Sequence, residues 1–231
     1  MQISKILNLP YIKANCNNGK LTKAPFCKLN QDLFERNADV NFTSAKVADV
    51  NLKRRTTKRP IEAYVAQLDF SLEDKILMTN LYSLWSDTDY MESISNAFLR
   101  KKNIKTFVVA AKTKKNLSAK DVKSVFCLEL QDKSGKRICN LKYLQSAPDI
   151  ADNPKSSIRG AGELALYYTV KYAKENGCNM VSLTSTNNSF YENAGFEMGE
   201  VIYPCSNICS FYLDENDYDS FLKKIEEKYK F

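Results

Sequence analysis

Glycine is scarce in this chain, and most of it is confined to one segment. The 231 residues include 7 glycines, and five of these lie between residues 160 and 199. Gly160 and Gly162 stand where a polar stretch ends and the apolar pattern of a helix begins. The first amides of a helix have no internal partner, and glycine lets a ligand approach them closely. We therefore interpret residues 157–164 either as an anion-binding loop or as a tight turn that packs the helix against a sheet.

Histidine is absent, which excludes several classes of active site. Serine–histidine and cysteine–histidine nucleophiles, HExxH zinc sites and imidazole bases all need this side chain. The seven cysteines include no CxxC pair, so we expect reduced thiols and no metal site. No apolar run approaches the ~18 residues of a membrane span. These features predict a soluble, cytoplasmic protein that does not associate with a membrane.

The positive charge of the chain is concentrated at its start. Residues 1–60 hold 12 Lys+Arg and 4 Asp+Glu, a net charge of +8, whereas residues 61–231 hold 22 and 23, a net charge of −1. The densest part, residues 53–60, has the charge to contact phosphates. We favour a solvated linker, because no aromatic residue that could stack on a base interrupts the cluster. The first residues also lack periodic apolar patterning, so we predict an irregular basic extension, 1–59, and a folded domain, 60–231.

Apolar periodicity in the folded domain predicts alternating strands and helices. Ser71 begins the first helix with a capping-box-like pattern, and Gly177 follows the third helix in the position typical of a C-cap. The order of the elements favours a mixed α/β sheet flanked by helices. The predicted strands are 61–70, 107–111, 125–130, 138–144, 180–184, 197–203 and 208–213, and the predicted helices are 71–85, 88–101, 162–176, 189–193 and a last one that contains Phe221.

A second motif follows about thirty residues after the glycines. Residues 190–196 read F-Y-x-x-x-G-F, after the R-G-x-G of residues 159–162. Ala165 would also complete a dinucleotide-binding fingerprint, but a polar stretch precedes the glycines instead of a strand, and no acidic residue lies at the ribose position. Together, the two motifs resemble the GNAT superfamily of acyl-CoA-dependent N-acyltransferases. The resemblance covers roughly residues 61–213.

The resemblance implies a mainly antiparallel sheet of six or seven strands, in which the fourth strand splays from the fifth. It also implies that acetyl-CoA binds as co-substrate, its diphosphate on the amides of the glycine loop and its pantetheine arm along the fourth strand. Two features depart from the family pattern: Ser157 replaces the usual Gln or Arg, and the preceding loop is long. The implied coenzyme A-binding residues are Leu144, Ser146, Ser157, Ile158, Arg159, Gly160, Ala161, Gly162, Glu163, Asn188 and Tyr191.

The same resemblance implies the chemistry of the site. Tyr191 matches the tyrosine that donates a proton to the departing thiolate. An ammonium acceptor must lose a proton before it attacks, so a carboxylate or a chain of water molecules is expected to act as base. Glu129, on the third predicted strand, is the first candidate and Glu62 is the second. For both, a solvated strand carboxylate is the alternative interpretation.

These observations predict an N-acyltransferase, most simply an N-acetyltransferase, that acts on a small-molecule or protein amine. Two other functions are retained: a GNAT-like domain that binds acyl-CoA or a partner without turnover, and a nucleic-acid-associated protein that acts through its basic extension. Nucleic acid is the less favoured partner. A monomer and a homodimer are both compatible with the sequence.

Overall fold

The computed structural model describes most of the chain beyond residue 44. The described residues are 45–55, 57, 59–85, 90–100, 103–112, 117–151, 156–203 and 207–231. Residues 1–44, which form most of the predicted basic extension, lie outside them.

One sheet connects the strands of the described residues. In chain order, the strands are β1 (Ala45–Arg54), β2 (Pro60–Leu68), β3 (Ile104–Ala111), β4 (Val122–Lys133), β5 (Lys136–Ser146), β6 (Ile158–Arg159), β7 (Met180–Ser185), β8 (Glu197–Tyr203) and β9 (Ile208–Asp214). Their order in the sheet is β6-β1-β2-β3-β4-β5-β7-β9-β8. Every neighbouring pair is antiparallel except β5 and β7, which are parallel.

Helices cover both faces of this sheet. They are α1 (Leu72–Leu84), α2 (Met91–Arg100), α3 (Pro148–Ala151), α4 (Ala161–Glu175), α5 (Asn188–Ala194) and α6 (Tyr218–Tyr229). One apolar core contains residues of α1 and α2, and the other contains residues of α4 and α6. Strand β3 contributes to both cores because its side chains alternate: Phe107 and Val109 belong to the α4 side, and Val108 and Ala110 belong to the α1 side.

The predicted fold class is confirmed: the sheet is mixed, mainly antiparallel and flanked by helices. The number of strands is nine in the described residues, rather than six or seven. The two that were not predicted are β1 and β6, which pair with each other at one edge of the sheet. Both were missed for the same reason, because each places few apolar side chains in the core.

The predicted boundary at residues 59 and 60 is wrong, since it separates two paired strands. Strand β1 pairs with β2 from Ala45 opposite Gln67 to Lys53 opposite Pro60. Only two of its side chains, Val50 and Leu52, are fully buried, and a bulge between Lys46 and Ala48 breaks the alternation. A strand with so little apolar patterning has no clear signal in the sequence. The folded domain therefore includes residues 45–54.

Local signals at turns and helix ends are confirmed. The Ser71 hydroxyl accepts a hydrogen bond of 3.1 Å from the Asp74 amide, which caps α1 as predicted. The turn between β4 and β5 has positive φ at both Ser134 (52°) and Gly135 (76°), as a two-residue hairpin requires. Gly177 adopts a φ of 64° directly after the end of α4.

Among the described helices, none has the length and apolar character that a membrane span needs.

The cap at Ser71 gives a first prediction. Replacing Ser71 with Ala removes the acceptor for the Asp74 amide, and we expect the free energy of unfolding to fall by about 1 kcal/mol. Urea denaturation measures this change. Ser83, an exposed serine of the same helix, is the matched control, because Ser83→Ala removes a hydroxyl but no cap. Equal effects of the two substitutions would contradict the capping role.

Candidate active site

The parallel pair of strands separates part of the way along its length. Strands β5 and β7 are paired only from Ile138 opposite Met180 to Leu141 opposite Leu183. Beyond this point, residues 142–146 continue β5 and pair only with β4, while the end of β7 pairs only with β9. The edge of β5 that faces β7 is therefore open over its last residues. This is the splay between the fourth and fifth predicted strands that the family resemblance implies.

Helix α4 begins beside this gap. Gly160 adopts a φ of 96°, in the left-handed region that favours glycine, and its carbonyl accepts the first helical hydrogen bond, 2.9 Å from the Leu164 amide. The amides of Ala161, Gly162 and Glu163 come before that bond, and no described residue accepts a hydrogen bond from them. Three backbone donors without a described partner therefore lie at the positive end of a 15-residue helix, in residues that line the gap.

Close packing holds the start of α4 in place. The Ser124 hydroxyl, fully buried on β4, donates a hydrogen bond of 3.1 Å to the Ala161 carbonyl. At Gly162, a Cβ atom would lie 3.2 Å from Cζ of Phe190 and 3.5 Å from Oγ of Ser146. The backbone of Gly162 therefore lies against both α5 and the end of β5, with little space for a side chain.

The gap and the start of α4 form one cleft of about 820 Å³, which is large enough for a cofactor-sized ligand. One wall is the open edge of β5, residues 141–146, and the opposite wall runs from Leu183 to Asn187. Tyr191 and Phe190 of α5 also line the cleft. The described residues include no group of three cysteine or carboxylate side chains placed to hold a metal ion.

The lining of the cleft is strongly cationic. Glu163 is the one carboxylate among the lining residues that the structure describes. The six cations that line the cleft are Lys53, Arg54, Arg55, Lys142, Arg159 and Lys228. Such a lining favours an anionic ligand.

The charge of Glu163 is neutralised by the last turn of α6. Lys228 Nζ lies 2.6 Å from Oε2 of Glu163, and the Tyr229 hydroxyl donates a hydrogen bond of 2.6 Å to the same oxygen. Burial raises the pKa of Tyr229 well above its ordinary value, with the Glu163 carboxylate as a further cause. The tyrosine therefore stays protonated and keeps donating to Glu163, which reduces the repulsion that a bound anion would meet.

Tyr191 is buried at the floor of the cleft, with 7% of its surface exposed. Its ring is packed by Phe190 and Phe211, at centroid distances of 4.9 and 5.4 Å. Burial raises the pKa of Tyr191 to about 12, and a hydrogen bond with the Ser185 side chain opposes the rise. The hydroxyl is therefore protonated at neutral pH, in the form that donates a proton.

Most of the predicted site residues lie together at this cleft. Eight line it directly: Leu144, Ser146, Arg159, Gly160, Ala161, Gly162, Glu163 and Tyr191. Three predicted coenzyme A-binding residues do not line it, namely Ser157, Ile158 and Asn188. Ser157 instead accepts a hydrogen bond of 2.9 Å at its carbonyl from the Arg55 amide. The Asn188 amide group donates to Cys209 Sγ at 3.4 Å, so it points towards β9.

Glu129, the first candidate for the base, also lies outside the cleft lining. Its carboxylate accepts hydrogen bonds from Asn103 and from Gln131, the latter at 2.6 Å, and lies 3.6 Å from Lys142 Nζ. These partners occupy both carboxylate oxygens. Glu62, the second candidate, pairs with Lys112 at 3.0 Å on the surface. The structure therefore supports neither residue as the base.

Several cleft residues were not predicted. The most consequential are Lys53, Arg54 and Arg55, which line the cleft from the end of β1. Their charge cluster was visible in the sequence, but it was interpreted as a solvated linker because no aromatic residue interrupts it, and β1 was not predicted. Lys228 and Tyr229 come from the far end of the chain, and no local pattern connects them to residue 163.

Comparison with known proteins finds likeness only among solved structures. No family model matches the chain, and no curated protein matches it. The chain is similar to Arabidopsis thaliana NAA60 in complex with acetyl-CoA, with 13% identity over 67% of this chain and 99% of that chain and a TM-score of 0.49. It is also similar to FeeM, an N-acyl amino acid synthase from uncultured soil microbes, with 12% identity, coverages of 68% and 93% and a TM-score of 0.48. A third is an acetyltransferase from Bacillus subtilis in complex with CoA, with 15% identity, coverages of 65% and 97% and a TM-score of 0.43.

The start of α4 gives a second prediction. A Cβ atom at Gly160 would overlap the Tyr229 hydroxyl and ring, in addition to the cost of its positive φ. We expect Gly160→Ala to lower the free energy of unfolding by about 3 kcal/mol. Gly177 is the matched control, since it also has positive φ, but a Cβ atom there would have no other atom within 4 Å. Gly177→Ala should cost only about 1 kcal/mol. Denaturant unfolding of both variants tests the difference, and similar losses would show that Tyr229 does not constrain Gly160.

Proposed function

We propose that this chain is an acyl-CoA-dependent N-acyltransferase of the GNAT type, with the cleft as its donor site. One observation carries the proposal: three unpaired amides of a helix lie beside the open edge of a strand, in one cationic cleft. The amides suit a diphosphate, and the strand edge suits an extended chain that contains its own amide groups. Coenzyme A combines both chemical features in a single molecule.

Each wall of the cleft has a role in this proposal. The amides of Ala161, Gly162 and Glu163 bind the diphosphate of coenzyme A, and Gly160 provides the turn that brings them together. Residues 142–146 of β5 receive the pantetheine arm as an added strand, because their outer edge has no protein partner in the described residues. The thioester then reaches the floor of the cleft near Tyr191, which lines the same cavity.

The reaction is direct transfer, and we propose acetyl as the acyl group. The lone pair of a neutral primary amine attacks the thioester carbonyl carbon, the new C–N bond forms, and the C–S bond breaks. Tyr191 gives its proton to the departing thiolate, the nitrogen of the new amide releases its extra proton to water, and the phenolate is reprotonated from solvent. A free main-chain amide of β5 is suited to polarise the carbonyl oxygen during attack. Holding both reactants in this orientation supplies much of the rate.

The amine must be deprotonated before it attacks. Glu129 and Glu62 lie outside the lining, and Glu163 is paired with Lys228. We therefore propose that a chain of water molecules in the open end of the cleft removes the proton. If the cleft binds acetyl-CoA but releases no thiol with any amine, the chain is instead a donor-binding domain without turnover.

Tyr191 gives a prediction for turnover. Tyr191→Phe removes the proton donor but keeps the aromatic packing, so acetyl-CoA affinity should be unchanged and kcat should fall roughly 100-fold. Because the pKa of Tyr191 is raised to about 12, the tyrosine stays protonated below that pH, and its ionisation should not reduce kcat up to about pH 10. Thiol release and calorimetric titration measure the two effects separately.

The control for this substitution is Tyr168→Phe. Tyr168 is similarly buried, and burial also raises its pKa to about 12, but it does not line the cleft. Its loss of a hydroxyl should leave kcat unchanged. Equal losses of kcat in the two variants would point to a packing defect and not to lost proton donation.

Gly162 gives a prediction for binding. Gly162→Glu places a carboxylate beside the free amides and against Phe190, and calorimetry with acetyl-CoA should then detect no binding. Gly135→Glu, in the open turn between β4 and β5, introduces the same side chain at a site with no atom within 4 Å and should bind normally. Normal binding by a folded Gly162→Glu variant would overturn the proposed diphosphate site.

A further inference from the structure

Cations from three separate segments meet at the start of α4. Lys53 and Arg54 of β1 pair in register with Arg159 and Ile158 of β6, and the Arg55 amide donates to the Ser157 carbonyl at 2.9 Å. This short antiparallel pairing brings the end of β1 beside the glycine loop. Lys228 reaches the same place from α6. We call these five residues the cationic rim: Lys53, Arg54, Arg55, Arg159 and Lys228.

Contacts between the segments define the arrangement of the rim. Lys53 Nζ lies 5.1 Å from the centroid of the Tyr229 ring. Lys228 Nζ lies 5.6 Å from the same centroid. Tyr229 in turn donates to Glu163 in the first turn of α4. Lys230, the residue directly after α6, is held to β1 by a hydrogen bond of 2.9 Å from the Asn51 side chain to its carbonyl. The end of β1 is therefore joined to the anion-binding end of α4 through one aromatic ring.

The rim has more positive charge than the protein itself neutralises. Of its five cations, only Lys228 forms an ion pair within the described residues, and its partner is Glu163. Arg54, Arg55 and Arg159 are exposed and form no ion pair with any described side chain. Neighbouring arginines repel one another, and an anion that binds between them relieves the repulsion. Arginine also matches the geometry of phosphate oxygens.

A diphosphate alone does not account for this surplus. The three amides of α4 already provide donors for a diphosphate, which is where the proposed function places it. A phosphomonoester carries about −1.5 to −2 further charges near neutral pH. A ligand that adds a separate phosphomonoester to the diphosphate therefore uses both the amides and the rim.

We propose that the cationic rim is a phosphomonoester site, which makes the cleft select donors that carry a third phosphate over donors that carry only the diphosphate. The inference rests on the proposed function and specifies its donor. It assigns a ligand-binding role to residues 53–55, the part of the chain that the sequence analysis interpreted as a linker. It also accounts for Ser157, because the rim supplies positive charge where the family's usual side chain is missing.

The test is calorimetric titration of the full chain with three ligands: coenzyme A, dephospho-coenzyme A and adenosine 3′,5′-bisphosphate. Dephospho-coenzyme A lacks only the phosphomonoester. We expect the unmodified chain to bind coenzyme A roughly tenfold more tightly than dephospho-coenzyme A, since charge-assisted hydrogen bonds to one phosphate are lost. The bisphosphate should bind measurably, and the preference should weaken as salt is raised.

Two double variants with equal charge change separate the rim from general electrostatics. Arg54→Gln with Arg55→Gln should abolish the preference, so that this variant binds coenzyme A and dephospho-coenzyme A with similar affinity. Lys133→Gln with Lys136→Gln, at the hairpin turn on the opposite end of β4 and β5, should keep the preference. All four side chains are exposed, so thermal unfolding should show both variants folded.

The outcomes distinguish this inference from the proposed function. Equal affinities for coenzyme A and dephospho-coenzyme A in the unmodified chain would overturn the phosphomonoester site and leave the proposed donor site unaffected. A preference that survives in the Arg54 and Arg55 variant would also overturn it. RNA binding that this variant loses while coenzyme A binding is unaffected would assign the rim to nucleic acid instead. No binding of any of the three ligands would overturn the proposed function itself.

Discussion

The site depends on one interruption of hydrogen bonding, where β5 and β7 stop pairing after Leu141 and Leu183. These two strands are the parallel pair of the sheet, and a parallel pair needs a crossover connection, which here contains α4. Such a helix begins near the carboxyl ends of the strands. The free amides of α4 therefore lie at the gap that the separation opens. Full pairing of the two strands would close the cleft and leave the amides beside a continuous sheet.

Packing gives those amides a fixed direction. Helix α4 is buried on most of its surface, because the sheet covers one side and α6 covers another. Leu164, Leu166 and Val170 are fully buried, and the Tyr167 hydroxyl donates to Glu226 of α6 at 2.9 Å. A helix held on two sides cannot easily change its tilt. Hydrogen-bond donors whose direction is already fixed need little reorganisation when an anion binds. Packing far from the cleft therefore favours anion binding in the cleft.

Sequence patterns predicted the parts of the molecule that local chemistry determines. The start of α4 at Gly160 and Gly162 and the cap at Ser71 both follow from residues close together in the chain. The patterns failed where pairing between segments that are distant in the chain determines the structure. Strand β1 has two fully buried side chains, and β6 has only two residues, so their pairing leaves almost no periodic signal. The contacts of Glu129 were not predicted for a related reason, since its partners Lys142 and Asn103 come from other segments.

Glu163 shows how two opposing electrostatic demands are met at one position. An acidic side chain in the first turn stabilises a helix through its dipole, so it favours α4 itself. The same charge would repel a diphosphate bound to the neighbouring amides. Lys228 and Tyr229 hold the carboxylate at 2.6 Å each, which neutralises it while its favourable interaction with the helix remains. The last turn of α6 is therefore part of the proposed anion site, although it lies some sixty-five residues further along the chain.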